Sequence, residues 1–297
     1  MKMLVKAPLR LAVQGLVVMA LALVSPTLAA AAPKPKTKQV SISYVKPVNP
    51  EHEPLYALLV ERRFLEKVQE ILGPFRLPRT LTLTIRGCNG NANARYDGSG
   101  ITLCYEFIEE VWNNAPTETT PEGITPTDAI VGSLSNIFFH EVGHALFDLL
   151  QVPVFGREED AADTMSALVM LFIAKEEGRR IIAGAAYMYK DDLKKEVLLK
   201  LSEFSDVHST PQQRFFNLLC IAYGANHDLF SDLVEKGHLP EDRAVECRNE
   251  AQLAFFAFNR LIKPHIDKKL ADEVHAKQWL PPVNRPLPRY LPSLLAD

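Results

Sequence analysis

Hydrophobic residues recur at two different spacings in the first half of the chain, and each spacing predicts a different element. Residues 79–86 alternate threonine with leucine or isoleucine, as expected for a strand with one buried face. Residues 101–108 are a second strand candidate, and the turn-rich residues 89–100 precede them. In residues 55–72 apolar positions recur every three or four residues, which predicts a helix. The two strands are expected to form a small antiparallel sheet.

A long helix is predicted directly after this sheet, over residues 126–150. Thr125 is a typical N-cap residue, Pro126 suits the first helical position, and Asp128 lies three residues after the cap. Further helices are expected at residues 164–177, 178–203, 211–224, 226–236 and 241–262. The predicted fold class is therefore α+β and mainly α-helical. The sheet is expected before the long helix, and the C-terminal half is expected to be helical.

The long helix carries the sequence His-Glu-Val-Gly-His, which has the spacing of a metal site. Residues four apart lie on the same face of a helix, so His140 and His144 can direct two ring nitrogens to one metal ion. Glu141 lies one step round the helix, where its carboxylate can act as the general base of a zinc hydrolase. The histidines also lie in an apolar setting, where unpaired polar groups would be costly.

A catalytic zinc ion needs a third protein ligand, and the next predicted helix offers one. Glu159 and Asp163 are four residues apart, so both lie on one face of that helix. We expect Glu159 to bind zinc and Asp163 to accept a hydrogen bond from a ligand histidine. The alternative is that these acids only favour the start of a helix. Glu158 and Asp160 are the fallback ligands.

The predicted mechanism is hydrolysis of a peptide bond by a water at the fourth zinc position. Glu141 would take the proton of this water and later pass it to the leaving amine. A second electrophile is expected to stabilise the oxyanion. The candidates for it are His208, Arg214, Tyr223 and Tyr96. The alternatives are that His208 is an ordinary loop histidine and that Arg214 is a surface or packing residue.

The short sheet is the predicted place for the substrate. A strand at a sheet edge can bind an extended peptide as a further strand. Residues 101–107 or residues 91–96 are expected to serve this role. The alternative is that both are ordinary scaffold.

The N-terminus has the pattern of a signal peptide, which predicts export. Positive charges at Lys2, Lys6 and Arg10 precede an apolar stretch over residues 11–24 and then a run of small residues. An uncleaved anchor is the alternative, although the apolar stretch is short for a membrane span. We divide the chain into a signal peptide at 1–30, a linker at 31–50, a peptidase domain at 51–280 and a proline-rich tail at 281–297.

Charge and length limit the classes of partner. Removal of residues 1–30 takes away three positive charges and no acids, so the formal net charge falls by three, from −3 to −6. A mildly acidic protein without a basic run is a poor ligand for nucleic acid. We therefore expect a peptide or protein substrate, no nucleic acid, and no stable membrane span after signal cleavage. The protein would be periplasmic or extracellular.

Four cysteines agree with export. An even number in an exported chain suggests two disulfides. Three pairings are possible, and we favour Cys88–Cys104 with Cys220–Cys247 because each bond joins neighbouring elements. The alternative is buried free thiols.

The segments around the histidine motif also resemble known metallopeptidases. His-Glu-Val-Gly-His followed by Gly-Arg-Glu-Glu-Asp-Ala-Ala-Asp resembles the gluzincin pattern and, distantly, the Ste24/HtpX-type peptidases. The chain resembles more closely a bacterial family of zinc metallopeptidases that is otherwise described only as a domain of unknown function. This resemblance implies a secreted zinc peptidase with a zincin-like fold and one Zn²⁺ per chain. His208 and Arg214 resemble the His-Pro…Arg segment of Ste24/HtpX-type enzymes, although the proline is displaced here.

Two other functions remain open at this point. One is a non-catalytic zinc protein, derived from a peptidase, that binds a partner. The other is an amidase that acts on cell-wall peptides. Glu141 favours catalysis, because a structural zinc site does not need this carboxylate and is usually closed by a fourth protein ligand.

Overall fold

The structure, a computed structural model, describes residues 39–173, 175–194 and 204–282. The predicted signal peptide and all but the first two residues of the predicted tail lie outside the described residues. The strands are β1 (Val40–Tyr44), β2 (Leu81–Arg86), β3 (Ala94–Tyr96) and β4 (Gly100–Cys104). The helices are α1 (Glu53–Glu61), α2 (Phe64–Leu72), α3 (Tyr105–Asn114), α4 (Pro126–Leu149), α5 (Glu158–Phe172), α6 (Lys175–Tyr187), α7 (Lys190–Lys194), α8 (Pro211–Ala225), α9 (His227–Phe230), α10 (Asp232–Glu235), α11 (Glu241–Leu261) and α12 (Lys268–His275).

The fold class predicted from the sequence, α+β and mainly helical, is confirmed. The predicted direction of the strands is wrong, because the sheet is mixed. Its order is β1-β2-β4-β3; β1 and β4 run parallel to β2, and only β3 is antiparallel to its neighbour β4. Alternating apolar residues predict a strand and its buried face, but they do not determine the direction of its neighbours.

Strand β1 lies in the segment that was predicted to be a linker. Val40 is buried and pairs with Leu81, and the ladder continues to Tyr44 opposite Ile85. Here Val40, Ile42 and Tyr44 alternate with two serines, so the strand pattern was present but short.

Two elements predicted in the first half of the chain differ in the structure: a helix is interrupted and a strand ends early. The helix predicted over residues 55–72 is divided into α1 and α2, because Arg63 between them has a left-handed backbone with φ of 53°. The strand predicted over residues 101–108 ends at Cys104, and the chain continues as α3. Short apolar runs fit either a strand or a buried helix, so their spacing alone does not separate the two.

Helix α4 lies at the centre of the core, as its residues predict. Thr125 and Asp128 form a reciprocal capping box, with Pro126 at the first position, which confirms the predicted helix start. Most of its residues are buried, and it packs against α5 and α6. A Cβ atom at Gly132 would lie 2.4 Å from the backbone nitrogen of Ala185, so α4 and α6 touch through their backbones.

Two disulfides join neighbouring elements in the described chain. Cys88–Cys104 ties the segment after β2 to the end of β4, and Cys220–Cys247 ties α8 to α11. Both predicted pairings are confirmed. Among the described residues, the helices are too short or too polar for one of them to cross a membrane.

Candidate metal centre

Helices α4 and α5 bring three potential metal-binding atoms together. His140 Nε2 lies 3.1 Å from His144 Nε2, and Glu159 Oε2 lies 3.0 Å from the first nitrogen and 3.3 Å from the second. Zinc binds nitrogen and oxygen ligands at about 2.0–2.2 Å in a tetrahedron, whose ligand-to-ligand edges are then about 3.3–3.6 Å. The three atoms therefore have nearly the separations of one face of a zinc site.

The other ring nitrogen of each histidine faces a carboxylate. His140 Nδ1 lies 2.8 Å from Asp163 Oδ1, and His144 Nδ1 lies 2.7 Å from Glu158 Oε1. An ionised carboxylate only accepts hydrogen bonds, so each Nδ1 is the donor. In the neutral ring Nε2 is then unprotonated and faces the other two atoms. This is the tautomer that metal-binding histidines require.

The approach of α5 to the motif depends on Gly143. A Cβ atom at this position would lie 3.0 Å from Cα and 3.2 Å from Cβ of Ala162. The glycine inside His-Glu-Val-Gly-His thus lets the backbone of α5 come close to α4. This close approach brings Glu159, three residues before Ala162, within reach of the histidines.

Asp163 is held by Arg214 from α8. Arg214 Nε and Nη2 donate to the two Asp163 oxygens at 2.7 Å each. Burial alone would raise the pKa of Asp163, but the hydrogen bonds from His140 and Arg214 lower it to about 2. The pKa of Arg214 is raised, because its interactions with Tyr189 and Asp163 outweigh the effect of its burial. A charged, two-point ion pair therefore stabilises the position of His140.

The pKa of His144 is raised for a related reason. Burial lowers it, but the hydrogen bond to Glu158 and the negative charges of Glu159 and Glu141 have the larger effect. Glu158 is more exposed than Asp163 (side chains 56% and 19%), and an equivalent of Arg214 is not among its ion pairs in the described chain. His144 is therefore less firmly supported than His140.

Glu141 lies between the histidines and strand β3. Its Oε2 accepts a hydrogen bond of 2.6 Å from the backbone N–H of Tyr96. The carboxylate is thereby oriented and its Oε1 is left for another partner. This contact joins the motif helix to the edge of the sheet, and the sequence alone did not indicate it.

His208 also reaches the centre, from the loop before α8. Its Nε2 lies 2.9 Å from Glu159 Oε2, and its ring stacks on that of His140 with centroids 6.0 Å apart. Asp206 accepts hydrogen bonds from the backbone N–H and from Nδ1 of His208, at 2.8 Å and 3.2 Å. The pKa of Asp206 is lowered mainly by these two bonds.

The remaining sequence candidates have other partners. The hydroxyl of Tyr96 donates to Asp148 at 2.5 Å and accepts from Arg79 at 3.1 Å, and Tyr223 packs against His227. The fallback ligand Asp160 instead accepts a hydrogen bond of 2.6 Å from Ser209.

A cleft of about 590 Å³ opens over the centre. Its lining includes the predicted metal-binding residues and residues of the predicted substrate segment 91–96. It is lined by Ala92, Asn93, Ala94, Arg95, Tyr96, Phe107, Ile137, His140, Glu141, His144, Glu158, Glu159, His208 and Arg214. Of the two segments predicted to bind the substrate, only residues 91–96 contain an edge strand, which is β3. Residues 101–104 lie between β2 and β3, so the prediction that they bind a substrate as an edge strand is wrong.

Comparison with known proteins agrees with this site. Neither a curated protein nor a solved structure matches the chain significantly. Residues 44–262, well over half of the chain, match the model of a family described as "Putative metallopeptidase". That description indicates a metal and peptidase activity. The chain belongs to this metallopeptidase family.

Proposed function

We propose that the protein is an exported, zinc-dependent peptidase. The observation that carries the proposal is the meeting of His140 Nε2, His144 Nε2 and Glu159 Oε2 at separations of 3.0–3.3 Å. Two imidazoles and one carboxylate form a ligand set of catalytic zinc sites. These three residues would hold the ion. Bound there, zinc would supply a Lewis acid that polarises a peptide carbonyl and makes water more acidic.

In this proposal Glu141 is the group that moves the proton. Oε2 is held by the backbone N–H of Tyr96, so the carboxylate keeps one orientation in the cleft. Its other oxygen would take a proton from the attacking water and pass it to the leaving nitrogen. Glu141 is itself buried, and burial limits the access of other water molecules to it.

Strand β3 is the proposed docking site for the peptide. The Asn93 carbonyl accepts from Cys104 N–H, and Asp97 N–H donates to the Gly100 carbonyl, so odd-numbered residues face β4. In an antiparallel pair the alternate residues face away. The carbonyls of Ala94 and Tyr96 are therefore directed to the free edge and can accept hydrogen bonds from an extended substrate.

Export is supported by two features of the chain. The N-terminus has the charge and hydrophobicity of a signal peptide. Both disulfides are typical of an oxidising compartment. We propose a periplasmic or extracellular location.

The test is metal content and proteolysis of three purified variants beside the wild type. Glu141→Gln should keep about one zinc per chain and lose hydrolysis of an unfolded protein by at least roughly 100-fold. Glu159→Ala should lose both zinc and activity, because it removes a direct ligand. Glu246→Gln, at an exposed position on α11, is the matched control and should change neither.

Three results would contradict the proposal. Wild type without zinc after purification in the absence of chelators would exclude the metal site. Full activity in Glu141→Gln would exclude the proposed proton transfer. Zinc at full occupancy without hydrolysis of protein or of cell-wall peptide would instead favour a non-catalytic zinc protein.

A further inference from the structure

The contacts of His208 repeat those of the two motif histidines. Each of the three rings brings Nε2 close to the same oxygen, Glu159 Oε2, with distances of 3.0 Å for His140, 3.3 Å for His144 and 2.9 Å for His208; the first two contacts are aligned hydrogen bonds, and that of His208 is a close approach only. Each also has a carboxylate at Nδ1. A carboxylate behind the ring is the arrangement that fixes the tautomer of metal-binding histidines.

The proton on the His208 ring can be located from these contacts. Asp206 Oδ1 accepts the backbone N–H of His208 and lies 3.2 Å from Nδ1, so Nδ1 is the donor in this pair. In a neutral ring Nε2 then carries a lone pair. This nitrogen lies 2.9 Å from a carboxylate oxygen of Glu159, where two acceptors would repel each other unless a cation binds both.

The atoms around this point are close enough for a common ion. One ligand atom each from His140, Glu159 and His208 lies within 4.8 Å of the other two; His144 is outside this group, so the His208 ring must move closer to His144 for all four residues to bind one ion. Four protein ligands are the pattern of a closed zinc site, whereas a catalytic site leaves one position open.

We propose that His208 is a fourth protein ligand that closes the metal site in the resting protein and leaves it when a substrate carbonyl binds. The proposal rests on the zinc site of the proposed function. It assigns to His208 a metal bond in place of the oxyanion contact expected from the sequence.

The surroundings of His208 are suited to a ligand that leaves. Its side chain is 43% exposed, against 4% for His140, and its partner Asp206 is 61% exposed. The loop is nevertheless anchored next to His208. Ser209 donates to Asp160 at 2.6 Å and accepts from Arg157 at 2.7 Å. The ring can therefore leave the site while the chain on its C-terminal side stays in place.

X-ray absorption at the zinc edge of the full-length, zinc-loaded protein tests this proposal, because it counts imidazole ligands. We expect three imidazoles in the wild type and two in His208→Ala. A peptide hydroxamate, which binds zinc through oxygen, should reduce the wild-type count to two. His227→Ala removes an exposed histidine that does not line the cleft, and it should retain three.

Zinc affinity, measured by competition with a chelator, is the second readout. His208→Ala should weaken binding by about tenfold or more, since even outer partners of zinc ligands contribute about 10- to 100-fold. Circular dichroism should show an unchanged fold, because His208 lies in an exposed loop.

The outcomes separate this proposal from the proposed function. Zinc with two imidazoles in the wild type would refute the role of His208 as a ligand. It would favour a protonated His208 ring between Asp206 and Glu159. The peptidase proposal would not be affected. Three imidazoles that persist with the hydroxamate would refute a removable ligand. A wild type that binds no zinc would contradict the proposed function itself.

Discussion

The two sides of the candidate metal centre are built differently. On the helical side, His140 is buried, and its partner Asp163 is clamped by two hydrogen bonds from Arg214. On the loop side, His208 is exposed and depends on Asp206, which precedes it by two residues and is itself mostly exposed. Both sides present an imidazole to Glu159, but only one is supported by three helices.

This difference indicates where rigidity matters. A metal site needs ligands whose positions do not change when the metal is absent, and buried ion pairs provide such positions. A position that must open for substrate cannot be held in the same way. Solvent competes for Asp206, and exposed charge pairs contribute little. The predictions below test this contrast, from the largest expected effect to the smallest.

Removal of Asp163 should have the largest effect. Asp163→Ala leaves the Arg214 charge buried without its partner, so the free energy of unfolding should fall by roughly 3 kcal/mol. Zinc affinity should fall by about 100-fold, because His140 loses its orienting carboxylate. Chemical denaturation of the metal-free protein and chelator competition would measure the two effects. Unchanged stability would contradict the account of the helical side.

Gly143→Ala should weaken zinc binding on the helical side by increasing the distance between α4 and α5. The new methyl group would meet Ala162 at 3.0–3.2 Å and push α5 away from α4, so zinc affinity should fall by about tenfold. Alanine favours helix by about 1 kcal/mol over glycine, but overpacking a buried contact costs about 1–3 kcal/mol, so the free energy of unfolding should change little or fall. The double variant with Ala162→Gly should recover part of the affinity. Equal affinity in wild type and Gly143→Ala would show that the close contact is not needed.

Glu158→Ala tests His144, whose support is intermediate between that of His140 and that of His208. Glu158 orients His144 but is 56% exposed, so we expect a loss of zinc affinity near the lower limit of about tenfold. Thermal stability of the metal-free protein should not change, because an exposed pair contributes little. A loss as large as that of Asp163→Ala would remove the proposed difference between the two motif histidines.

Asp206→Ala should have the smallest effect. Asp206 is mostly exposed to solvent, which can replace its hydrogen bonds to His208, so zinc affinity should fall by less than about threefold. The same titration as for Asp163→Ala provides a direct comparison. A loss of about 100-fold would contradict the idea that the loop side is weakly held.

Features that depend on neighbouring residues could be predicted from the sequence. The start of α4 follows from Thr125, Pro126 and Asp128, which lie within four positions of one another, and the structure has the expected capping box. Both disulfides join elements that are close along the chain, and their pairing was predicted correctly. The spacing of Glu159 and Asp163 also led to their expected location beside the histidines, although their roles stay predictions.

Features that depend on distant residues were missed or assigned another role. Arg214 was expected at the oxyanion, but it forms its two short hydrogen bonds with Asp163, 51 positions away in the chain. The contact between Tyr96 and Glu141 spans 45 positions and uses a backbone N–H, which every non-proline residue carries. No side-chain pattern could have indicated it.

Helix periodicity and capping are short-range effects, so the order of residues already determined α4, its two histidines on one face and Glu141 beside them. The direction of the strands depends on which distant segments pack together. So do the two hydrogen bonds from Arg214 to Asp163 and the contact of His208 with Glu159. The close contact of Gly143 with Ala162 is of the same kind. Such contacts arise from the burial of the whole core, so only the tertiary structure decided that a third histidine would reach Glu159.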